Sequence, residues 1–369
     1  MLAFAAFSGQ ADTLAAHTPY SDLPPRAFWR TGAGTLAAED IRQLSDCKQK
    51  LTRDLKVATA GSCFAQHISR RLRAMGYNFM DAEPAPPWMT PAAQRDFGYG
   101  VYSARYGNIY TSRQLKLLLK EAFGDFTPEE RVWRNGDRYF DPFRPTIEPN
   151  GFESADEVLQ ARESLLLAVR RLTKAADVFV FTFGLTECWL SKSDGAAYPI
   201  CPGVHAGEFD PDKYEFANLT FADVLADMTY VIQRLRKRRP TLRFIFTVSP
   251  VPLTATAAGG HVLTATTHSK AILRAVAGQL QATYDFVDYF PSYELVTAPS
   301  LGGRFYAPNK REVTEAGVAT VMNMFEREFC EGAVAGDVAP TPPEPAAPAP
   351  SSEGDVICDE RILEHYATR

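Results

Sequence analysis

Asp177-Val178-Phe179-Val180-Phe181-Thr182-Phe183, stopped by Gly184, is the stretch that decides the fold. Its apolar run is nearly continuous, so no alternating face is left for water. Such a run suits a parallel strand covered on both faces. Leu242 to Val248, halted by Ser249-Pro250, repeats the pattern. Leu55 to Ala60, stopped at Gly61, and Phe286 to Tyr289 read as shorter strands. Helical spacing lies between them. Ile68, Leu72 and Met75 place a helix over 65–75, with Gly76 as its stop. Thr111 or Ser112 caps a helix carrying Leu115, Leu117, Leu118 and Leu119. Ser154 with Glu157 makes a capping box ahead of a helix through about Ala175. Thr220 opens a helix ending in Arg234–Arg239, another runs from about Thr267 to Tyr284, and Thr314 opens one through about Phe329. This alternation predicts an α/β fold with a mostly parallel sheet and helices on both faces.

Composition narrows the function. A chain of 369 residues, 46% hydrophobic and 22% charged, is ordinary globular material and not wholesale disorder. A net charge of −5 argues against a nucleic-acid partner. Cys47, Cys63, Cys188, Cys201, Cys330 and Cys358 form no CxxC pair, which excludes zinc-ribbon and thioredoxin-type readings. They are too few for a disulfide scaffold, so a reducing, cytoplasmic location is expected. No run of 18 apolar residues exists, so no membrane span is expected. The first residues lack a basic region and read as an extension rather than a signal peptide.

The expected organisation is an N-terminal arm over 1–30, a main domain over 31–331, a linker over 332–357 and a docking segment over 358–369. The linker carries six prolines between Pro340 and Pro350 and should be extended. Residues 85–110 and 185–218 read as long irregular insertions, a length often tied to function.

In an open parallel sheet, ligands bind beyond the carboxyl ends of the strands. Gly61-Ser62-Cys63, Gly184-Leu185-Thr186-Glu187 and Ser249-Pro250-Val251-Pro252 stand there. At a strand-to-helix turn, glycine allows the tight bend and the helix start offers N–H groups. A hydroxyl at that point can attack a carbonyl while those donors hold the oxyanion. The plainer alternative is that Ser62 caps the helix.

Gly61-Ser62-Cys63-Phe64-Ala65 resembles the name-giving motif of the GSCFA family, within the SGNH (GDSL-like) hydrolase and esterase superfamily. Tyr106-Gly107-Asn108-Ile109-Tyr110, Phe183-Gly184-Leu185-Thr186-Glu187, Thr247-Val248-Ser249-Pro250-Val251, and Ser269-Lys270 with Leu273-Arg274 resemble it too. The likeness runs from about residue 19 to 330. It implies a flavodoxin-like three-layer α/β/α fold with a mostly parallel sheet, like the SGNH hydrolases. It implies Ser62 as nucleophile and its N–H as an oxyanion donor, with Gly107 or Asn108 in the second block. Gly184 matches the third block, and Thr186 stands where relatives carry an Asn donor. The implied activity is a serine ester hydrolase or O-acyltransferase. The substrate would be an O-acylated carbohydrate (a glycan ester) or another small ester, with no metal or organic cofactor.

One block departs. Superfamily members carry Asp-x-x-His before the last helix, and here Asn309 replaces the Asp and Glu312 the His. A serine needs a nearby base. Either another histidine has taken over, or Glu312 is the base, or the chain is a catalytically impaired binding module. His261, in the loop that starts at the rim, ranks first, ahead of Glu312, His205 and His268. His67 reads as structural; His17 and His365 lie in the arm and the tail. Glu187 either orients a base or binds substrate, or pairs with Arg105 or Lys270. Cys63 is a weaker nucleophile candidate, pointing inward, and Arg234–Arg239 reads as a solvated helix end.

Overall fold

The computed structural model describes residues 18–332 and 358–368. Most of the expected linker, residues 333–357, lies outside the described residues, as does His17. The chain divides into two compact units, Met1–Leu44 and Ser45–Arg369. In the first, short helical turns form at Pro25–Ala27, Arg30–Gly34 and Ala38–Asp40.

The second unit opens with β1 (Val57–Gly61), α1 (Ala65–Ala74), α2 (Pro91–Asp96) and α3 (Ser112–Ala122). A hairpin, β2 (Trp133–Asn135) and β3 (Arg138–Phe140), leads to α4 (Ala155–Ala175) and β4 (Val178–Phe183). Then come β5 (Glu187–Ser191), β6 (Ala197–Tyr198), β7 (Tyr214–Asn218) and α5 (Phe221–Arg238). The chain continues through β8 (Arg243–Val248), α6 (Val262–Thr283), β9 (Val287–Phe290), α7 (Ser292–Thr297) and α8 (Glu315–Phe329).

The central sheet is all parallel, in the order β1-β4-β8-β9. Phe183 packs edge-to-face on Phe181 and on Phe246 within its core, and Phe244 lies tilted against Phe246, as the near-continuous apolar runs require. Helices α3 to α6 pack on one another in one layer, and α8 with α1 and α7 in the other. The fold is therefore α/β with a parallel sheet between helical layers. Its strand order is the flavodoxin-like 2-1-3-4-5 with the second strand reduced to one bridge. Val57 N–H donates to Asn78 O at 2.9 Å, and Met80 N–H to Val57 O at 2.9 Å.

Several regions differ from the sequence expectation, among them residues 85–110, which hold α2. Residues 185–218 are not irregular throughout: β5, β6 and β7 form a small antiparallel sheet. Helix α6 begins at Val262, five residues before the expected Thr267, because His261 is its cap. Val262 and Leu263 are exposed, so no apolar stripe marks that first turn.

Four charges are buried where α3, α4 and the turn after β3 meet. Asp141 Oδ2 accepts from Arg144 Nε at 2.7 Å, and Arg162 Nη1 lies 3.6 Å from the same oxygen. Arg162 also pairs with Glu121, and its guanidinium sits 4.6 Å from the Phe143 ring centre.

Candidate active site at the end of the first strand

Strand β1 ends at Gly61, whose φ is +137°. A Cβ there would lie 2.4 Å from Thr182 O, so only glycine lets β1 lie this close to β4. Ser62 follows. Its N–H donates to Thr182 O at 3.1 Å and its carbonyl accepts from Ala65 N–H at 2.9 Å. Among the described residues the Ser62 hydroxyl has no hydrogen-bond partner, although the residue is only 2% exposed. Helix α1 is capped at Phe64 without a side-chain bond, so Ser62 is not the cap. A buried hydroxyl left unpaired costs about 1–3 kcal/mol. A reactive role is one explanation of such a hydroxyl; the Thr182 and Thr254 hydroxyls are unpartnered as well.

Gly184 forms the facing wall. A Cβ on it would lie 2.9 Å from Ser62 Cβ and 3.0 Å from Tyr110 O. Gly184 N–H donates to Tyr110 O at 3.1 Å, and its carbonyl accepts from Lys270 Nζ at 2.7 Å. Lys270 is buried, and burial pushes its ammonium down to about 8. Three expected oxyanion donors are thus already bonded: Ser62 N–H, Gly184 N–H, and the Thr186 hydroxyl, which donates to Asn218 Oδ1 at 2.7 Å. Gly184 serves by what it lacks, leaving room beside the serine.

Asn108 is placed differently. Gly107 before it turns at φ +68°, with its open side against Arg144. Asn108 Oδ1 lies 2.6 Å from the Tyr102 hydroxyl and 3.3 Å from Gln66 Nε2. Those partners fix the amide so that Nδ2 points outward. The Tyr102 hydroxyl also reaches Ser62 O at 3.0 Å, which ties this amide to the turn after β1. Asn108 Nδ2 donates to Asp359 Oδ2 at 2.8 Å, Tyr110 OH to the same oxygen at 3.2 Å, and Thr146 OH to Oδ1. Three neutral donors converge on one carboxylate.

The segment before α8 carries no acid–base pair for Ser62. Asn309 Oδ1 accepts the N–H groups of Arg311 and Glu312, each at 3.1 Å. Arg311 Nη2 pairs with Glu360 at 3.1 Å, and Glu312 Oε1 accepts from Arg361 Nη2 at 2.8 Å. Two adjacent charges on the body meet two adjacent charges of reversed order on residues 360 and 361.

The GSCFA family profile matches residues 56–325, from the start of β1 into α8. The chain belongs to the GSCFA family. No curated protein matches it. Among solved structures it is similar to a carbohydrate esterase family 3 from Talaromyces cellulolyticus, at 9% identity and a TM-score of 0.35. That match covers 74% of this chain and 95% of the other. It is similar at the same values to an acetyl esterase in a serine-to-alanine form with acetate ion. Among the described residues of the GSCFA chain, no helix is long and apolar enough to cross a membrane.

The histidines of this GSCFA chain are distributed unevenly about the site. His261, expected first as base, caps α6: its Nδ1 accepts Leu263 N–H at 3.1 Å and the residue is exposed. It does not meet the Ser62 hydroxyl, and neither does Glu312, which Arg361 holds. His268 is exposed on α6, His67 packs its ring on Phe64, and His365 lies against Tyr366. His205 is half-buried against the Phe140 ring. Its Nε2 is buried with no partner among the described residues. Burial lowers its pKa against the pull of Asp359.

Glu187 pairs with neither expected cation. Its Oε1 accepts from the Thr256 hydroxyl at 2.8 Å, and burial raises its pKa. It pins the loop after β8, while Arg105 bonds Glu148 at 2.7 Å. Cys63 is buried, and the influence of Cys358 together with burial raises its pKa. Arg234 and Arg239 pair with Asp125 and Asp177, in keeping with a helix end that caps the fold. Tyr102, Tyr110, Thr146, Arg311 and Asp359 went unnoticed in the sequence. Tyr110 closes the Tyr106–Tyr110 motif, but nothing local to Asp359 or Thr146 signals their meeting.

Proposed function

We propose that the protein is a serine ester hydrolase or O-acyltransferase, with Ser62 as nucleophile and an O-acylated carbohydrate or similar small ester as substrate. The unpartnered Ser62 hydroxyl at the tight strand-to-helix turn carries this reading. The convergence of Asn108 Nδ2, Tyr110 OH and Thr146 OH on a carboxylate supports it, because a carboxylate oxygen stands in for the oxyanion of an acyl-transfer intermediate. Ser62 Oγ would attack the ester carbonyl while its proton passes to a base. We assign that role to His205, whose buried Nε2 has no partner among the described residues and whose ring feels the Asp359 carboxylate. Like His261 and Glu312 it makes no bond to the Ser62 hydroxyl in this structure, so the contact has to form with substrate. The acyl group then goes to water or to a sugar hydroxyl.

A second reading, a binding module without turnover, draws on the two ion pairs that fill the place of the usual Asp-x-x-His. One experiment separates them. Under reducing conditions, a fluorophosphonate probe should label the wild-type chain and leave Ser62→Ala unlabelled. Acetylated sugars and p-nitrophenyl esters should be cleaved, and His205→Ala should slow cleavage by roughly 100-fold or more. An unlabelled wild type that cleaves no ester, yet binds an acetylated sugar by calorimetry, would establish the binding reading instead.

A further inference from the structure

Residues 359–361 lie over the site through contacts that no ester chemistry requires. The Asp359 carboxylate accepts from Asn108 Nδ2 at 2.8 Å, from Tyr110 OH at 3.2 Å and from the Thr146 hydroxyl, while its own N–H donates to the Tyr110 oxygen at 3.1 Å. The Tyr102 hydroxyl that holds Asn108 also bonds Ser62 O, so the pocket shares its support with the turn that carries Ser62. Glu360 pairs with Arg311 at 3.1 Å and Arg361 with Glu312 at 2.8 Å. These pairs fix the register. A slip by one residue would set Arg361 against Arg311, or Glu360 against Glu312, and would take Asp359 off its donors.

What holds the segment is mostly polar. Asp359 and Glu360 are buried, but Ile362 and Leu363 are only half-buried and residues 364–367 are exposed. Burial of apolar area, which would make docking hard to reverse, is therefore small here. Hydrogen bonds and ion pairs of this kind exchange readily with water, or with a ligand that brings similar oxygens. An ester brings them: its carbonyl oxygen becomes the oxyanion, and hydrolysis releases a carboxylate. Asp359 thus presents to the three donors the same group that a reacting acyl centre would present.

We propose that residues 358–368 are a detachable plug: the chain's own segment, led by Asp359, competes with substrate for the Asn108–Tyr110–Thr146 pocket, and the site opens when the segment leaves. That the pocket takes this segment as a ligand stands whatever Ser62 does. That its departure admits substrate to Ser62 rests on the function proposed above. With the segment in place the three donors are saturated, so only the fraction of chains in which it has left can react.

Asp359→Ala in the full chain tests this, since it removes the carboxylate and leaves the three donors in place. A fluorophosphonate probe should label the variant at least about tenfold faster than the wild type, the factor that lost hydrogen bonds to a charged group imply. Native trypsin should also cut faster after Arg361, whose side chain Glu312 otherwise holds. Glu360→Gln, which touches none of the donors, should speed both by a smaller factor. A fluorescein-labelled peptide of residues 356–368 should bind the Asp359→Ala chain and slow its labelling; the peptide carrying Asp359→Ala should do neither. Equal labelling rates in wild type and variant overturn the plug. Slower labelling of the variant overturns it too, by making the carboxylate part of the reacting machinery. Wild-type labelling that quickens on dilution would put a second copy's segment in the pocket and overturn the intrachain plug. Should neither chain label, the Ser62 reading fails and peptide binding decides: loss of affinity by about tenfold or more on adding Thr146→Val upholds the pocket as the segment's receptor, and no binding, or binding indifferent to Thr146→Val, overturns it.

Discussion

Gly61→Ala should lower stability by about 4 kcal/mol, read as a fall in the denaturant midpoint. Two separate costs combine. At φ +137° an alanine is strained whatever space surrounds it, at about 1–3 kcal/mol. Its Cβ would also lie 2.4 Å from Thr182 O and 2.7 Å from Thr182 N, backbone atoms of the strand that β1 pairs with. Neither can move without breaking the parallel ladder. Gly76→Ala is the control. It shares a positive φ, +72°, but has nothing within 4 Å, so it should cost about 1 kcal/mol. Equal losses in the two variants would refute the close-approach argument and leave only backbone strain.

Arg162→Leu is expected to cost about 3–5 kcal/mol, because it strips the partner from one buried carboxylate and half the partnership from another. Glu121 and Arg162 are both buried, as is Asp141, so water does not replace the lost guanidinium. The pH dependence gives a sharper check. Burial alone would raise the Asp141 pKa, but Arg162 and Arg144 outweigh it and hold it below 3.8. A depressed folded value stabilises above the unfolded pKa, and the benefit disappears as pH falls through the folded one. Removing Arg162 brings the folded value up, so acid unfolding should begin at higher pH. Melting temperatures across about pH 2 to 5 would show it. A parallel downward shift at every pH would mean the loss is one of packing only.

The parallel sheet was legible because its signal is local. Runs such as Val178–Phe183 and Arg243–Val248 cover both strand faces with apolar side chains, and Thr111, Ser154, Thr220 and Thr314 cap their helices by direct bonds. The β2–β3 hairpin was overlooked despite Gly136 at φ +58° in its two-residue loop; strands of three residues give too short an alternation. In the candidate site, Ser62 and Gly184 could be placed at the rim because strand ends mark it. The bonds that occupy the expected oxyanion donors were not legible, for a physical reason. Whether an N–H or hydroxyl is available depends on neighbours far away in sequence: Thr182 for Ser62, Tyr110 for Gly184, Asn218 for Thr186. The same holds for His261, whose lone pair is consumed two residues on, and for the meeting of Arg311-Glu312 with Glu360-Arg361, which only tertiary structure creates.

The order in which the molecule assembles follows from how β1 is paired. Val57 lies beside Val178, whereas β4 meets β8 and β8 meets β9 across much shorter stretches of chain. Closing a loop of twice the length costs only about 0.6 kcal/mol more, but that entropy is lost before any contact offsets it. The carboxyl-terminal half of the sheet can therefore form first and serve as a template. The strand that leads into Ser62 then docks onto a finished edge, and the Ser62 hydroxyl is among the last groups to reach its place.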